Sequence, residues 1–135
     1  MTIGLVIMAF ASCSKPQVVA PEYKEVTANN LQGKWELVSL NGDDILEGSF
    51  LHMEFIRNET KFIITDGMNG FLDAPKTYTG KFYISYDDAL GAVIEGLYDH
   101  DTGLWNDKYI VSELTDDSMK FTGLKSGDIQ IFKRF

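Results

Sequence analysis

The sequence predicts an all-β domain, an eight-stranded antiparallel barrel with up-and-down (meander) connections. From Leu31 onward, short apolar and aromatic runs are separated by clusters of Gly, Asp and Asn, which favour turns. No stretch places apolar residues at helical spacing. Two of the three prolines, Pro16 and Pro21, precede residue 22, so most of the chain lacks the residue that cannot donate to a strand ladder.

Turn-forming pairs such as Asn41-Gly42 and Ser126-Gly127 separate the predicted strands. Hairpins that follow one another along the chain favour a meander, and closing the meander removes exposed sheet edges. An open, strongly curved sheet or a two-sheet sandwich would give the same pattern and remains an alternative. The predicted strands are Gly33–Leu40, Phe50–Arg57, Thr60–Thr65, Thr77–Tyr86, Ala92–Tyr98, Leu104–Leu114, Ser118–Leu124 and Asp128–Arg134.

Alternation assigns one face of most strands to the interior, because successive side chains of a strand point to opposite faces. The strand Ala92–Tyr98 is ambiguous. The side chains predicted to point inward are Leu51, Met53, Phe55, Phe62, Ile64, Tyr78, Phe82, Ile84, Tyr86, Tyr109, Val111, Met119, Phe121, Ile129 and Ile131.

Composition excludes several classes of function. The chain has 12 Lys plus Arg against 20 Asp plus Glu, a formal net charge of −8, and no stretch dense in Lys or Arg. Binding a polyanion depends on clustered cations that release its counterions, so we expect no nucleic-acid partner. The single cysteine excludes a disulfide framework and a cysteine-based zinc site.

The N-terminus predicts an export signal. Ile3–Ala11 is an apolar run of nine residues, shorter than the ~20 needed to span a bilayer but suited to the core of a signal peptide. The run ends at Phe10-Ala11-Ser12-Cys13, which resembles the lipobox of bacterial lipoproteins. That resemblance implies that residues 1–12 are a signal peptide and that Cys13 becomes an N-terminus carrying acyl chains such as palmitate. The alternative is a buried N-terminal strand with an ordinary cysteine.

Residues 13–30 have the composition of a tether, with prolines, charges and small residues and no sustained period. In lipoproteins of the Bacteroidetes type, an acidic run just after the cysteine resembles a surface-export signal, and Ser14-Lys15-Pro16-Gln17 lacks such a run. We therefore expect a protein of the cell envelope, anchored to the outer membrane and facing the periplasm.

The first predicted strand contains Gly33-Lys34-Trp35, which resembles the Gly-x-Trp motif that opens the first strand of lipocalins and of small bacterial lipocalin-like domains. The resemblance covers Leu31 to Phe135. It implies that Gly33 lets the chain pass beneath the barrel floor, that Trp35 closes that end, and that a late basic residue, Lys133 or Arg134, stacks on the Trp35 ring. Arg is the better suited of the two to cover an indole face.

The resemblance also implies a small apolar or amphipathic ligand, although about 105 residues is short for a lipocalin and predicts a small cavity. The same aromatic side chains could instead fill the barrel completely. The protein would then be a non-catalytic structural or interaction module that contacts an envelope protein through exposed Trp105, Leu104, Tyr83 or Ile110. The candidate ligand contacts are Trp35, Phe55, Phe62, Tyr78, Phe82, Tyr86, Tyr109 and Phe121.

No constellation of residues predicts catalysis, a metal or another cofactor. His52 and His100 do not occur in a zinc spacing or a nucleophile–base arrangement, and His52 alternates onto the polar face. The spacing of Asp99, Asp101 and Asp107 partly matches a calcium loop, but a polar hairpin turn explains it better. The sequence contains no phosphate loop, nucleophile elbow or nucleotide motif, so we do not expect an enzyme.

Overall fold

A computed structural model describes residues 22–70, 72–100 and 103–135 of the chain. A four-residue helix, α1 (Ala28–Leu31), precedes the sheet, and a 3-10 turn (Arg57–Glu59) joins the second and third strands. The two-residue strand Asp43–Asp44 pairs with the end of the first strand. The eight barrel strands are β1 (Gly33–Leu40), β2 (Phe50–Ile56), β3 (Lys61–Gly67), β4 (Lys76–Asp87), β5 (Gly91–Tyr98), β6 (Tyr109–Ser112), β7 (Ser118–Gly123) and β8 (Ile129–Arg134).

The strands form a closed up-and-down barrel, as predicted. Each strand pairs antiparallel with the next along the chain, and β8 pairs with β1 so that Arg134 lies opposite Trp35. This last pairing excludes an open sheet and a sandwich. The predicted boundaries agree to within two residues for seven of the eight strands.

The two ends of the barrel differ in what covers them. We call the floor the end where β1 begins at Gly33, opposite Phe55 near the end of β2. The mouth is the opposite end, formed by loops 41–49, 68–75, 99–108 and 124–128. Because consecutive strands run in opposite directions, every second connection lies at the same end.

The segment before β1 covers the floor. Leu31 and Val26 are buried there, and the Lys24 N–H donates to the Leu114 carbonyl at 2.7 Å. The Thr27 hydroxyl accepts from the Asn30 N–H at 3.1 Å and caps α1, as Thr commonly does at a helix N-terminus. Residues 22–30, assigned to the tether from sequence, therefore pack in part with the folded domain.

Aromatic side chains fill the barrel interior. Trp35, Phe62, Phe121 and Phe132 have no exposed surface. Phe121 and Phe132 meet at a tilted angle with 5.0 Å between their ring centroids, a geometry common in aromatic pairs. Neighbouring pairs such as Phe55–Phe82, also at 5.0 Å, extend this packing across the barrel.

Tyr78 and Tyr86 lie on the inward face of β4, as predicted, but they are not buried, since the two residues are 40% and 62% exposed. β4 spans 12 residues, more than either neighbour, and both tyrosines lie near its ends. The alternation along β4 was predicted correctly, because Phe82, on the same face as the two tyrosines, is buried. Both tyrosines lie where the strand extends beyond the packed interior.

The inward prediction is wrong for Ile129 and Ile131 in β8. Ile129 is 39% exposed, Ile131 is half-buried, and Phe132 is the buried residue of the strand. Phe132 lies opposite Met119, and Gln130 lies opposite Phe121, so the even-numbered residues face inward. The register with β7 decides the face, because both sets of alternate positions contain large apolar residues.

The predicted strand Leu104–Leu114 is interrupted. Leu104 forms an isolated bridge with Leu97, and β6 itself spans only Tyr109–Ser112. The residues between them leave the sheet and place Trp105 and Asp107 at the mouth. The pattern of alternation did not decide which face of β5 is buried. In the structure, Ala92, Ile94 and Gly96 point inward.

Candidate functional site

Different residues close the two ends of the barrel, Arg134 at the floor and Trp105 at the mouth. The guanidinium carbon lies 4.1 Å from the centroid of the Trp35 ring, which confirms the expected stacking and assigns it to Arg134 rather than Lys133. Its Nε donates to the Asp116 carbonyl at 2.7 Å, Nη1 to Gln32 at 2.6 Å and Nη2 to Asn30 at 2.7 Å.

Gly33 permits this close approach at the floor. Its φ of 121° lies in the region that favours glycine, and a Cβ there would come within 2.5 Å of Arg134 Nη1. The chain therefore passes directly beneath the guanidinium group, in agreement with the role expected of Gly33.

Trp105 closes much of the mouth. As a contact of an interaction module Trp105 was expected to be exposed, but it is only 8% exposed and belongs to the packed core. Its ring centroid lies 5.0 Å from that of Phe62. The backbone N–H of Trp105 donates to the Gly96 carbonyl at 2.9 Å. A Cβ at Gly96 would overlap the indole ring, so glycine is required there. Gly96 was the sequence signal that could have located Trp105 inside.

The indole Nε1 of Trp105 is buried and has no hydrogen-bond partner among the described residues. A buried donor without an acceptor costs about 1–3 kcal/mol, because it loses its hydrogen bonds to water. The mouth therefore contains a polar group that an acceptor atom could satisfy.

Asp107 connects two of the mouth loops. Its buried carboxylate accepts from the backbone N–H groups of Lys108 at 2.9 Å, Lys125 at 2.8 Å and Ser126 at 3.0 Å. Burial alone would raise the pKa of Asp107, but these hydrogen bonds outweigh burial and lower the pKa from its ordinary value. Because three backbone N–H groups surround the Asp107 carboxylate, its oxygens already accept hydrogen bonds from within the protein.

The calcium-loop alternative has no support in the part of the chain that the structure describes. No group of three or more His, Cys, Asp and Glu side chains there could hold a metal ion. Asp99 accepts from the Thr79 hydroxyl at 2.7 Å, and Asp101 lies outside the described residues. Asp99 and Asp107 both have hydrogen-bond partners within the protein.

Two apolar depressions lie at the mouth. One, of about 410 Å³, is open to solvent and is lined by Trp105, Leu124 and the polar residues Asn106 to Lys108 and Lys125. The other, of about 210 Å³, is lined by Leu40, Ile45, Leu46, Met68, Ser49 and the pair Asp43 and Asp44. Both are at or below the lower part of the ~300–1,000 Å³ range of drug-sized ligand sites.

Two tyrosines bring hydroxyl groups to the mouth. Burial raises the pKa of Tyr109, and the nearby Asp107 carboxylate raises it further. Burial and the neighbouring Tyr78 raise the pKa of Tyr98. Both hydroxyls are therefore protonated at neutral pH and can donate a hydrogen bond.

The candidate ligand contacts are divided among three places. Tyr78 and Tyr109 lie at the mouth, whereas Tyr86 lies at the floor, where its hydroxyl donates to the Val26 carbonyl. Cys13 lies outside the described residues. The remaining candidates, at most 2% exposed, belong to the packed core: Trp35, Phe55, Phe62, Phe82 and Phe121.

Of the two histidines, His100 lies in a mouth loop and His52 lies on the barrel wall. His52 is half-buried on the outer face of β2, between the rings of Phe50 and Phe135, and its Nε2 is 3.2 Å from Glu36 Oε2. His100 is exposed in the turn after β5, with a φ of 62°.

Within the described ranges, no helix has the length and apolar character to cross a bilayer.

No known protein family matches the chain, and no curated protein is significantly similar to it.

Proposed function

We propose that the chain is a non-catalytic lipoprotein of the bacterial cell envelope whose lipocalin-like barrel recognises a partner protein through the rim of its mouth. The packed interior carries this proposal. Five of the eight aromatic residues expected to line a ligand cavity are at most 2% exposed, and four of them, Phe55, Phe62, Phe82 and Phe121, pack ring against ring. A filled barrel leaves recognition to its outer surface.

The rim of the mouth, by which we mean the exposed residues of its four loops, offers an apolar surface. Leu46 and Leu72 are 79% and 86% exposed, and Leu104 and Leu124 are also exposed. Leu104 was one of the contacts expected for an interaction module. Most of the exposed leucines among the described residues lie at this end, with Leu90 at the floor, and burying them against a partner protein removes apolar area from water.

The proposed anchor leaves this rim free. The described chain begins at the floor, and Cys13 precedes Glu22 by nine positions. At about 3.3–3.6 Å per extended residue, that length reaches about 30 Å. A lipid on Cys13 would therefore hold the floor within about 30 Å of the outer membrane and leave the mouth free to contact a periplasmic partner.

Site-specific photocrosslinking in the native host tests this function. A photoreactive residue at Leu46 or Leu124 should yield a discrete crosslinked protein, because both positions are exposed at the mouth. The same residue at Leu90, which is exposed at the floor, is the matched control. Identical products from all three positions, or none from the mouth, would refute recognition at the rim.

A small-ligand function is the second candidate, and the 410 Å³ depression favours it, since it is lined by Trp105, whose buried Nε1 has no partner among the described residues. The ligand would be a small apolar or amphipathic molecule whose acceptor atom receives that hydrogen bond. Native mass spectrometry of protein purified without detergent distinguishes the candidates. A stoichiometric adduct that Trp105→Phe abolishes would support a carrier in place of an interaction module.

A further inference from the structure

The mouth combines its exposed leucines with an excess of negative charge. Lys108 and Lys125 lie in the described parts of its four loops, and Lys76 begins the adjacent strand. Lys108 lies 3.9 Å from the Glu95 carboxylate on β5, which offsets part of its charge. Apart from Asp107, whose carboxylate accepts from three N–H groups, the loops contain Asp43, Asp44, Glu47, Asp73, Asp99 and Asp128.

The charge is asymmetric around the mouth. Loop 41–49 contains three carboxylates and no cation, while Lys108 and Lys125 line the larger depression beside Trp105. Within the described ranges, Asp43, Asp44 and Glu47 form no ion pair, and all three are exposed. This side of the rim therefore carries a negative potential that attracts cations.

The acidic side also contains the smaller apolar depression. Ile45, Leu46 and Met68 line it, and Asp43 and Asp44 lie at its edge. Apolar walls with carboxylates beside them suit a chain that presents an aliphatic side chain next to a Lys or Arg. A carboxylate-bearing chain would be repelled at the same place.

Hydrogen bonds hold the rim in place before any partner binds. The Asn41 Nδ2 donates to Asp128 at 3.0 Å, and its Oδ1 accepts from the Ile129 N–H at 2.8 Å. The Ser49 hydroxyl donates to the Met68 carbonyl at 3.1 Å, which joins loops 41–49 and 68–75. A surface that is already ordered loses less entropy on binding.

We propose that the partner docks at this side of the mouth through a basic polypeptide segment that carries aliphatic side chains. Its Lys or Arg residues face Asp43, Asp44 and Glu47, and an aliphatic side chain occupies the depression formed by Ile45, Leu46 and Met68. The inference rests on the proposed function and specifies the chemistry of the partner.

Three short labelled peptides of equal length test the charge preference on the full-length protein by fluorescence anisotropy. One is built from Leu and Lys, one from Leu and Glu, and one from Leu and Ser. We expect the Leu/Lys peptide to bind at least about tenfold more tightly than the others at low salt. Its affinity should fall as the salt rises to ~0.15 M, where the Debye length is ~8 Å.

Two variants with the same change in formal charge separate the mouth from the general acidity of the chain. D43N/D44N/E47Q should weaken Leu/Lys binding about tenfold, because it neutralises the proposed contacts. E59Q/D88N/D117N removes three exposed carboxylates at the floor and should change the affinity less than twofold. Unfolding curves confirm that both variants fold.

Several outcomes would overturn the proposal: equal weakening by both triple variants, tighter binding of the Leu/Glu peptide, or no binding of the Leu/Lys peptide. Binding of the Leu/Ser peptide as tightly as the Leu/Lys peptide, abolished by Leu46→Ser, would also overturn it, since charge would then be irrelevant. That last result would still support recognition at the mouth. Failure of the crosslinking experiment is a separate result that concerns the proposed function itself.

Discussion

At the scale of single residues, Arg134 has the largest set of connections at the floor. It covers Trp35 and donates to carbonyls of the N-terminal segment and of the β6–β7 connection. Arg134→Met keeps much of the apolar contact but leaves three carbonyls without their donor. We expect a loss of about 1–3 kcal/mol in the free energy of unfolding, measured by urea denaturation.

Lys133→Met is the control for Arg134. Lys133 is exposed on the opposite face of β8, and such surface changes usually alter stability by no more than about 0.5 kcal/mol. If the two variants were equally stable, the connections made by Arg134 would contribute nothing to the closure of the floor.

Asp107 predicts a pH dependence of stability. Because its pKa is lowered in the folded state, the carboxylate stabilises the fold above the ordinary pKa of 3.8 and loses that contribution as the pH falls through the lower folded pKa. Asp107→Asn should therefore be less stable than the parent at neutral pH. The difference in unfolding free energy should shrink below about pH 4.

Urea denaturation at neutral pH and at several values below pH 4 measures this difference. Asp88→Asn, at an exposed position in the β4–β5 turn, is the matched control and should follow the parent curve. A constant difference between Asp107→Asn and the parent at every pH would contradict the assignment of the stabilisation to the ionised carboxylate.

At the scale of elements, alternation and turn residues were sufficient to predict where strands occur. They were insufficient where both faces of a strand are apolar, as in β8, because the register with a neighbour then decides the face. Alternation and turn residues also could not predict which part of β4 is buried. Burial ends where the shorter neighbouring strands end. Trp105 was misplaced because Gly96, its partner across the hairpin, was not recognised as a position that receives a ring.

The face of β8 is directly testable. Phe132→Ala removes a ring that packs at 5.0 Å from Phe121 and should cost about 3–5 kcal/mol. Ile129→Ala removes a partly exposed side chain and should cost less than about 1 kcal/mol. Urea denaturation of both variants compares the two faces. The reverse order of stabilities would favour the face that alternation alone suggested.

At the scale of the whole molecule, barrel closure was predictable because eight amphipathic strands joined by short turns leave few other ways to bury one apolar face. Whether the barrel is hollow was not predictable, since it depends on how the volumes of its aromatic side chains fill the interior. Phe55, Phe62 and Phe121 are core residues for that reason. The candidate site accordingly lies at the mouth, where the packed interior meets solvent.

The position of the molecule in the cell depends on Cys13. If Cys13 carries the lipid, Cys13→Ser should move the protein from the membrane fraction to the soluble periplasmic fraction and abolish incorporation of radiolabelled palmitate. Ser14→Ala is the control, because it changes a neighbouring residue and leaves the cysteine in place. Continued membrane fractionation of Cys13→Ser would contradict the lipoprotein assignment. It would also remove the reason to expect a periplasmic partner at the mouth, because the floor would no longer be held within about 30 Å of the outer membrane.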